Sequence, residues 1–257
     1  MKNTFITKTF ILAACLLLGA CASTRQQSDI QANDPLEPMN RATYAFNKAI
    51  DQNLYQPITD IYQAVLPETP RQGVSNAMRN LREPWVFIND ILQLKFKRAG
   101  QTLSRFVINS TLGIGGLFKV SDDMGIKYHS EDFGQTLAVW GVGDGPYLII
   151  PFVGPSSGRD FAGFTASFFG DPVTLVIADM DEKGLNLTRT GVDALDARSR
   201  LNRTIQDTYR DPDGYVLMRS AFRQNRRYEI YDGNAPNSEA DDIFDELETD
   251  EQFGEQE

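Results

Sequence analysis

The chain of 257 residues carries one histidine and two cysteines, and its body holds almost no period-two alternation and no long unbroken apolar run. Each scarcity excludes a class of molecule. A zinc centre needs several histidine or thiolate ligands, and His129, placed by its polar neighbours in a solvated loop, stands alone. A sheet-built fold needs alternating strands, and only residues 147–153 read as extended. A basic surface is lacking as well. The net charge is −10, yet residues 236–257 hold ten carboxylates and no Lys or Arg, while residues 21–235 balance 23 basic against 25 acidic side chains. A near-neutral body has no basic stripe for nucleic acid, and the acidic stretch 236–257 reads as a disordered, solvating tail.

What is present begins at the first residue. Lys2 and Lys8 lead into the apolar residues 10–18 and then Leu18-Gly19-Ala20-Cys21, an export signal over residues 1–20 that is too short to span a bilayer stably. Leu, two small residues and Cys resemble the site at which bacterial lipoproteins receive a diacylglyceryl group. Cys15 falls inside the removed segment, so Cys21 is the one cysteine left and cannot form an intramolecular disulfide. It is expected to be lipidated, and stable anchoring needs more than one acyl chain, which a mature lipoprotein carries. Ala22 follows it, where an aspartate commonly retains lipoproteins at the inner membrane. The expected location is the outer membrane, lipid-anchored and facing the periplasm.

Residues 21–33 are polar and read as a lipidated tether, and residues 34–235 as one helical domain. Asp34-Pro35-Leu36-Glu37 is a helix-start pattern leading into residues 39–51. Helical spacing recurs in Ile58, Ile61, Tyr62 and Val65, then in Val74, Ala77, Met78 and Leu81, with prolines 57, 67, 70 and 84 punctuating the segments. Residues 96–112 set Leu103, Phe106 and Val107 against Lys97, Arg98 and Arg105; residues 185–210 form the longest periodic run, and residues 212–231 a basic, aromatic helix. The predicted class is all-α. Residues 84–94, 146–153 and 161–180 are apolar nearly all round, the last broken by Asp171 and Pro172. They either fill a soluble core, or lie in a membrane interface or along a lipid-sized cavity.

Familiar chemical motifs fail on inspection. Gly154-Pro155-Ser156-Ser157-Gly158 matches the Gly-x-Ser-x-Gly elbow of hydrolases, but the histidine base must follow the serine and His129 precedes it, so a Pro/Gly turn is predicted. The calcium-loop likeness of residues 179–190 fails at Lys183 and Thr190. The glycines of residues 113–116 lack the preceding strand of a dinucleotide fingerprint. No catalytic residue, cofactor or metal is expected.

Several blocks nevertheless resemble the VacJ/MlaA family of outer-membrane lipoproteins: Asn33-Asp34-Pro35-Leu36-Glu37 with Met39-Asn40-Arg41 and Phe46-Asn47, Asn80-Leu81-Arg82-Glu83-Pro84, residues 105–113 with Gly115-Gly116, residues 131–137, Trp140-Gly141-Val142-Gly143 through Pro151, and Asp211-Pro212 with Tyr215. The resemblance covers residues 33–231. It implies a ring-like helical body in the outer membrane beside trimeric porins, with an amphipathic channel that takes misplaced phospholipid from the outer leaflet to a periplasmic carrier protein, maintaining lipid asymmetry without catalysis. Candidate channel or membrane-facing residues are Trp85, Phe87, Ile88, Ile91, Leu92, Phe161, Phe164, Phe168 and Phe169, and Gly113, Gly115 and Gly116 are a candidate hinge or a packed turn. The alternatives are a structural envelope lipoprotein supporting porins or cell shape, and a lipid hydrolase acting through Ser156.

Overall fold

The computed structural model describes residues 34–180 and 183–235. The expected signal, Cys21, tether and acidic tail lie outside them. The helical expectation holds, with one short two-stranded ribbon added. Helix α1 (Glu37–Ile50) opens with Glu37 and Pro38 in its first turn, where an acid meets the positive helix end and a missing N–H costs nothing. Asp34 does not cap it. The N-cap is Leu36, without a side-chain cap bond, and the Asp34 carboxylate is drawn instead to Asn40, Tyr215 and Arg219.

A single π turn (Asp51–Tyr55) joins α1 to α2 (Gln56–Val65). Pro57 cannot donate to the carbonyl four residues back, and the widened turn just before it, closed by Gln56 N–H on Asp51 O, absorbs the mismatch. Helix α3 (Glu68–Leu92) is the longest described helix, and Pro84 lies inside it instead of ending a segment. Leu94, at φ 59°, turns the chain into α4 (Phe96–Thr111). The pairs Glu83 with Arg105, Asp90 with Thr102 and Asn80 with Ser110 show that α3 and α4 run antiparallel. These interlocks hold the helix on both sides of Pro84, which is why the proline is tolerated.

After the glycine turn and α5 (Val120–Asp123), α6 (Phe133–Val139) is capped by Asp132, which accepts from Gln135 N–H at 2.9 Å. Strand β1 (Tyr147–Ile150) pairs antiparallel with β2 (Gly154–Ser157), Tyr147 opposite Ser157 and Ile150 opposite Gly154. The predicted turn at residues 154–158 is therefore a strand. The reversal comes earlier, where Phe152 stands at φ 66°. Its partner element is unusual: Asn40 donates to Tyr147 O and accepts from Ile149 N–H, and Asn47 does the same with Ile150 O and Phe152 N–H, all at 2.9–3.0 Å. Two asparagines seven apart on α1 thus supply a free strand edge with the bonds a third strand would give.

Helices α7 (Gly158–Gly170) and α8 (Pro172–Asp179) follow one another across Asp171, whose side chain caps α8. The break read at Asp171-Pro172 is a junction between two helices. The run expected over 185–210 divides into α9 (Lys183–Arg200) and α10 (Asn202–Arg210), and α11 (Gly214–Ile230) closes the body. Tyr147, Ile149 and Tyr215, with Tyr44, Met218 and Phe222 against them, form a small apolar cluster between α1, β1 and α11.

Candidate functional site

The arrangement of polarity is inverted relative to a protein that folds in water. Among the described residues, six buried side chains are hydrophobic and twenty-two are polar or charged, so helix packing here rests on hydrogen bonds more than on apolar contact. The helices show it individually. On α4 the buried positions are Ala99, Thr102, Arg105 and Asn109, while Leu103 and Val107 are exposed. On α2, Thr59 is fully buried, and Ile58, Ile61 and Val65 face outward. On α3 the buried set is Ser75, Asn80, Glu83, Val86, Asn89 and Asp90.

The buried polar groups form connected networks, as burial in low dielectric demands. Between α3, α4 and the segment before α6, Thr102 donates to Asp90 at 2.6 Å, Thr136 donates to Asn89 at 2.7 Å, and Gln93 donates to Glu131 and Thr136 at 2.9 and 3.1 Å. His129 belongs to this network. Its Nε2 lies 3.1 Å from both Asp90 oxygens and 3.2 Å from Thr102 Oγ1, so the expectation of a solvated side chain is corrected; the polar sequence around it reflects buried partners, not water. Lys95 and Arg98 face Glu131 and Asp232 at its edge. Burial pushes the Glu131 and Glu83 carboxyls up, with Gln93, Lys95 and Arg98 opposing at Glu131 and Arg105 opposing at Glu83. At Asp232 burial is outweighed by Lys95 and Arg98, and the carboxyl lies below its usual range.

Two further ion pairs tie distant elements together. Arg198 on α9 grips Asp51 of the π turn through two bonds of 2.6 and 2.8 Å. Arg226 on α11 grips Asp132 at 2.6 and 2.7 Å and Asp160 at 2.8 Å, joining α11, α6 and α7. Burial raises the Asp132 carboxyl, but the Arg226 bonds outweigh it and hold it below the usual carboxylate range. A Cβ at Gly134 would stand 2.6 Å from both Arg226 Nη2 and Asp160 Oδ1, and one at Gly163 would stand 2.4 Å from Gly134 N. Only glycines allow α6 and α7 to cross this closely beside the ion pair.

Outside lies the apolar surface. Phe161, Phe164, Phe168 and Phe169 on α7 are all exposed, Phe169 by 77%. Phe164 and Phe168 stack edge to face at 5.0 Å, and Leu175, Val176 and Met180 extend the surface along α8 and just past it. Residues Gly158–Asp179 are long and apolar enough to cross a membrane by length and composition, with 17% of their most apolar window buried. A phenylalanine left fully exposed in water forgoes about 1.5–3 kcal/mol, so these four, 41% to 77% exposed, together forgo roughly half of four such values, about 3–6 kcal/mol, against a net domain stability of roughly 5–15 kcal/mol.

The candidate residues of the second apolar segment divide. Ile91 and Leu92 are exposed, whereas Trp85, Phe87 and Ile88 are half-buried, Trp85 against Gly170 and 6.4 Å from Phe133. Trp85 thus brings the end of α3 to the end of α7. The glycine stretch is a hydrogen-bonded turn: Gly116 N–H donates to Asn109 O at 2.8 Å and Phe118 N–H to Gly113 O at 3.0 Å. Gly115 and Gly116 take φ 67° and 92°, and a Cβ at Gly113 or Gly116 would meet neighbouring atoms at 2.4 Å. Ser156 is buried in β2, with its hydroxyl on the adjacent Ser157 carbonyl. The polar residues that hold the interior, Asp90, Thr102, Arg105, Arg198 and Arg226, went unremarked as a group in the sequence; their helical spacing on polar faces was the available signal.

Residues 32–229 match the family model for the MlaA lipoprotein. A protein of Rickettsia prowazekii is 36% identical over 131 residues, 51% of this chain and 52% of that one, so this match spans about half of each. The intermembrane phospholipid transport system lipoprotein MlaA of Haemophilus influenzae is 28% identical over 261 residues, covering 94% and 99%. A solved structure described as the structural basis for maintenance of bacterial outer membrane lipid asymmetry superposes with a TM-score of 0.68 at 27% identity, covering 77% of this chain and 99% of that one.

Proposed function

This chain belongs to the MlaA lipoprotein family, and from that premise we propose that it removes misplaced phospholipid from the outer leaflet of the outer membrane and passes it to a periplasmic carrier protein, without catalysis. The observation that carries the reading is the inversion of polarity: a polar interior closed by hydrogen bonds and an exterior of exposed phenylalanine and branched aliphatic side chains. Acyl chains solvate that exterior at no cost, whereas water would not. Cys21, lipidated, keeps the body at the membrane. A phospholipid moving from leaflet to periplasm needs its head group on polar protein and its tails on apolar protein, so its path follows a boundary between the two surfaces. Phe161, Phe164, Phe168 and Phe169, with Ile91 and Leu92, are the tail-contacting set. A ring-like body beside trimeric porins, with the packed turn at Gly113, Gly115 and Gly116 at a channel mouth, completes the proposal.

The test is the lipid itself. Mass spectrometry of detergent-extracted protein is expected to find co-purifying phospholipid, reduced several-fold by Phe168→Asp, and a deletion strain is expected to accumulate phospholipid at its surface. An unchanged lipid load in the variant would remove α7 from the path. Absence of both bound lipid and surface phospholipid would leave a supporting role in the envelope as the better account.

A further inference from the structure

A small polar cavity lies between α3, α4, the glycine turn and the start of α5, lined by Arg79, Asn80, Glu83, Arg105, Gly116 and Lys119 among others. Its enclosed space, about 10 Å³, admits one water-sized group. Two of its acceptors are buried without partners. Glu83 is 1% exposed and gives Oε1 to Arg105 Nε at 2.9 Å, leaving Oε2 unbonded; Asn80 is 4% exposed and donates Nδ2 to Ser110 at 2.9 Å, leaving Oδ1 unbonded. Both acceptors call for a donor. The rim has the opposite character. Among the described residues the half-buried Arg79 guanidinium stacks on Tyr128 at 5.4 Å and makes no salt bridge, and the exposed Lys119 pairs with Asp122 at 3.9 Å.

Two unbonded acceptors inside a water-sized hole, Glu83 Oε2 beyond its Arg105 pair and Asn80 Oδ1, with two cations at the rim, are the complement of a zwitterion whose small ammonium stands next to a phosphate. We propose that this cavity is a head-group site for phospholipids bearing a primary amine: the ammonium donates to Glu83 Oε2 and Asn80 Oδ1, and the phosphate lies between Arg79 and Lys119. A trimethylated ammonium is too large for the hole and has no N–H to donate. A glycerol head group has no positive charge for Glu83. Gly116 shapes the site, because a Cβ there would occupy the Asn80 side chain at 2.4 Å. This inference rests on the phospholipid reading above and adds a selection among phospholipids.

Full-length lipidated protein in detergent is mixed with vesicles holding equal parts of phosphatidylethanolamine, its mono- and dimethyl derivatives, phosphatidylcholine and phosphatidylglycerol, all with the same acyl chains, and the bound lipid is quantified after re-isolation. Phosphatidylethanolamine is expected to be enriched over phosphatidylcholine about tenfold, the value of one charge-assisted hydrogen bond, with a stepwise fall for each methyl added. Glu83→Gln is expected to bring that ratio near one, and Arg79→Gln to lower capture of all five lipids while keeping their order. The methyl series in the unaltered protein needs no substitution and so stands even where Glu83→Gln fails to fold. Lipid bound in vesicle proportions would overturn the head-group site alone, marking the cavity as a place for one water. No lipid of any kind bound would overturn the transport reading and this site with it.

Discussion

Replacing Arg226 by Met separates the two ways a polar interior can hold this fold together. Its guanidinium, 11% exposed, bonds Asp132 twice and Asp160 once, and so fastens α11 to α6 and α7. Removing one partner of a fully buried ion pair costs about 3–5 kcal/mol because the other charge is left stranded. Both carboxylates here are partly rescued. Asp132 is 44% exposed, which cuts its share to about 1 kcal/mol or less. Asp160 keeps Arg159 at 3.3 Å. The expected loss for Arg226→Met is therefore about 2–3 kcal/mol at pH 7, and Arg226→Lys, which keeps the charge but not the fork, should lose about half of that. The pH dependence has a definite sign. The Asp132 carboxyl is held below its usual range in the folded protein, so its contribution is complete above the unfolded value near ~3.9 and disappears as pH falls through the folded one. The gap between parent and variant should thus be constant from pH 7 down to about 5 and narrow below about 4 by the Asp132 share, about 1 kcal/mol or less. Urea unfolding in mild detergent, followed by near-ultraviolet circular dichroism across this range, measures it. A gap under about 0.5 kcal/mol at pH 7, the size of an ordinary surface change, or one that persists unchanged at pH 3, would refute the reasoning.

Three other substitutions probe the same architecture. Gly134→Ala should destabilise by more than about 1 kcal/mol, since the new methyl intrudes on Arg226 and Asp160 at 2.6 Å, and the same unfolding curves would show it. Asn40→Ala removes both side-chain bonds to β1, leaving Tyr147 O and Ile149 N–H unpaired in a buried setting; a loss of about 2–4 kcal/mol and faster amide exchange at Ile149 are expected, and unchanged exchange would contradict the strand-substitute role. Ile61→Ser, at an exposed position of α2, should change stability in detergent by under about 0.5 kcal/mol, whereas a loss above 2 would mean that its face is packed after all.

Several particulars show how far residues alone carry the reading. The extended character of residues 147–153 was legible, but its partner was not, because Gly154-Pro155-Ser156-Ser157 pairs only where Phe152 reverses the chain and the helix asparagines complete the ribbon. Pro84 looked like a boundary, yet Asn80, Glu83 and Asp90 anchor α3 on both sides of it. His129 looked solvated, since nothing local reveals that Asp90, thirty-nine residues earlier, waits for it in the interior. The family blocks around Asn80 and residues 105–113 coincide with the α3 and α4 interlock, so what makes them recognisable in sequence is in large part what packs the helices.

Helical class and the lipoprotein family could both be read from the linear chain, because spacing, composition and motif are local quantities. Which face of each helix turns inward could not. An amphipathic helix states only that it has two faces: on α4 Leu103 and Val107 turn out while Thr102 and Arg105 turn in, the reverse of the choice that water outside favours. Tertiary structure settled it by pairing those polar groups with one another across α3, α4, α6 and α11, since a buried polar side chain is tolerated only where its partners meet it.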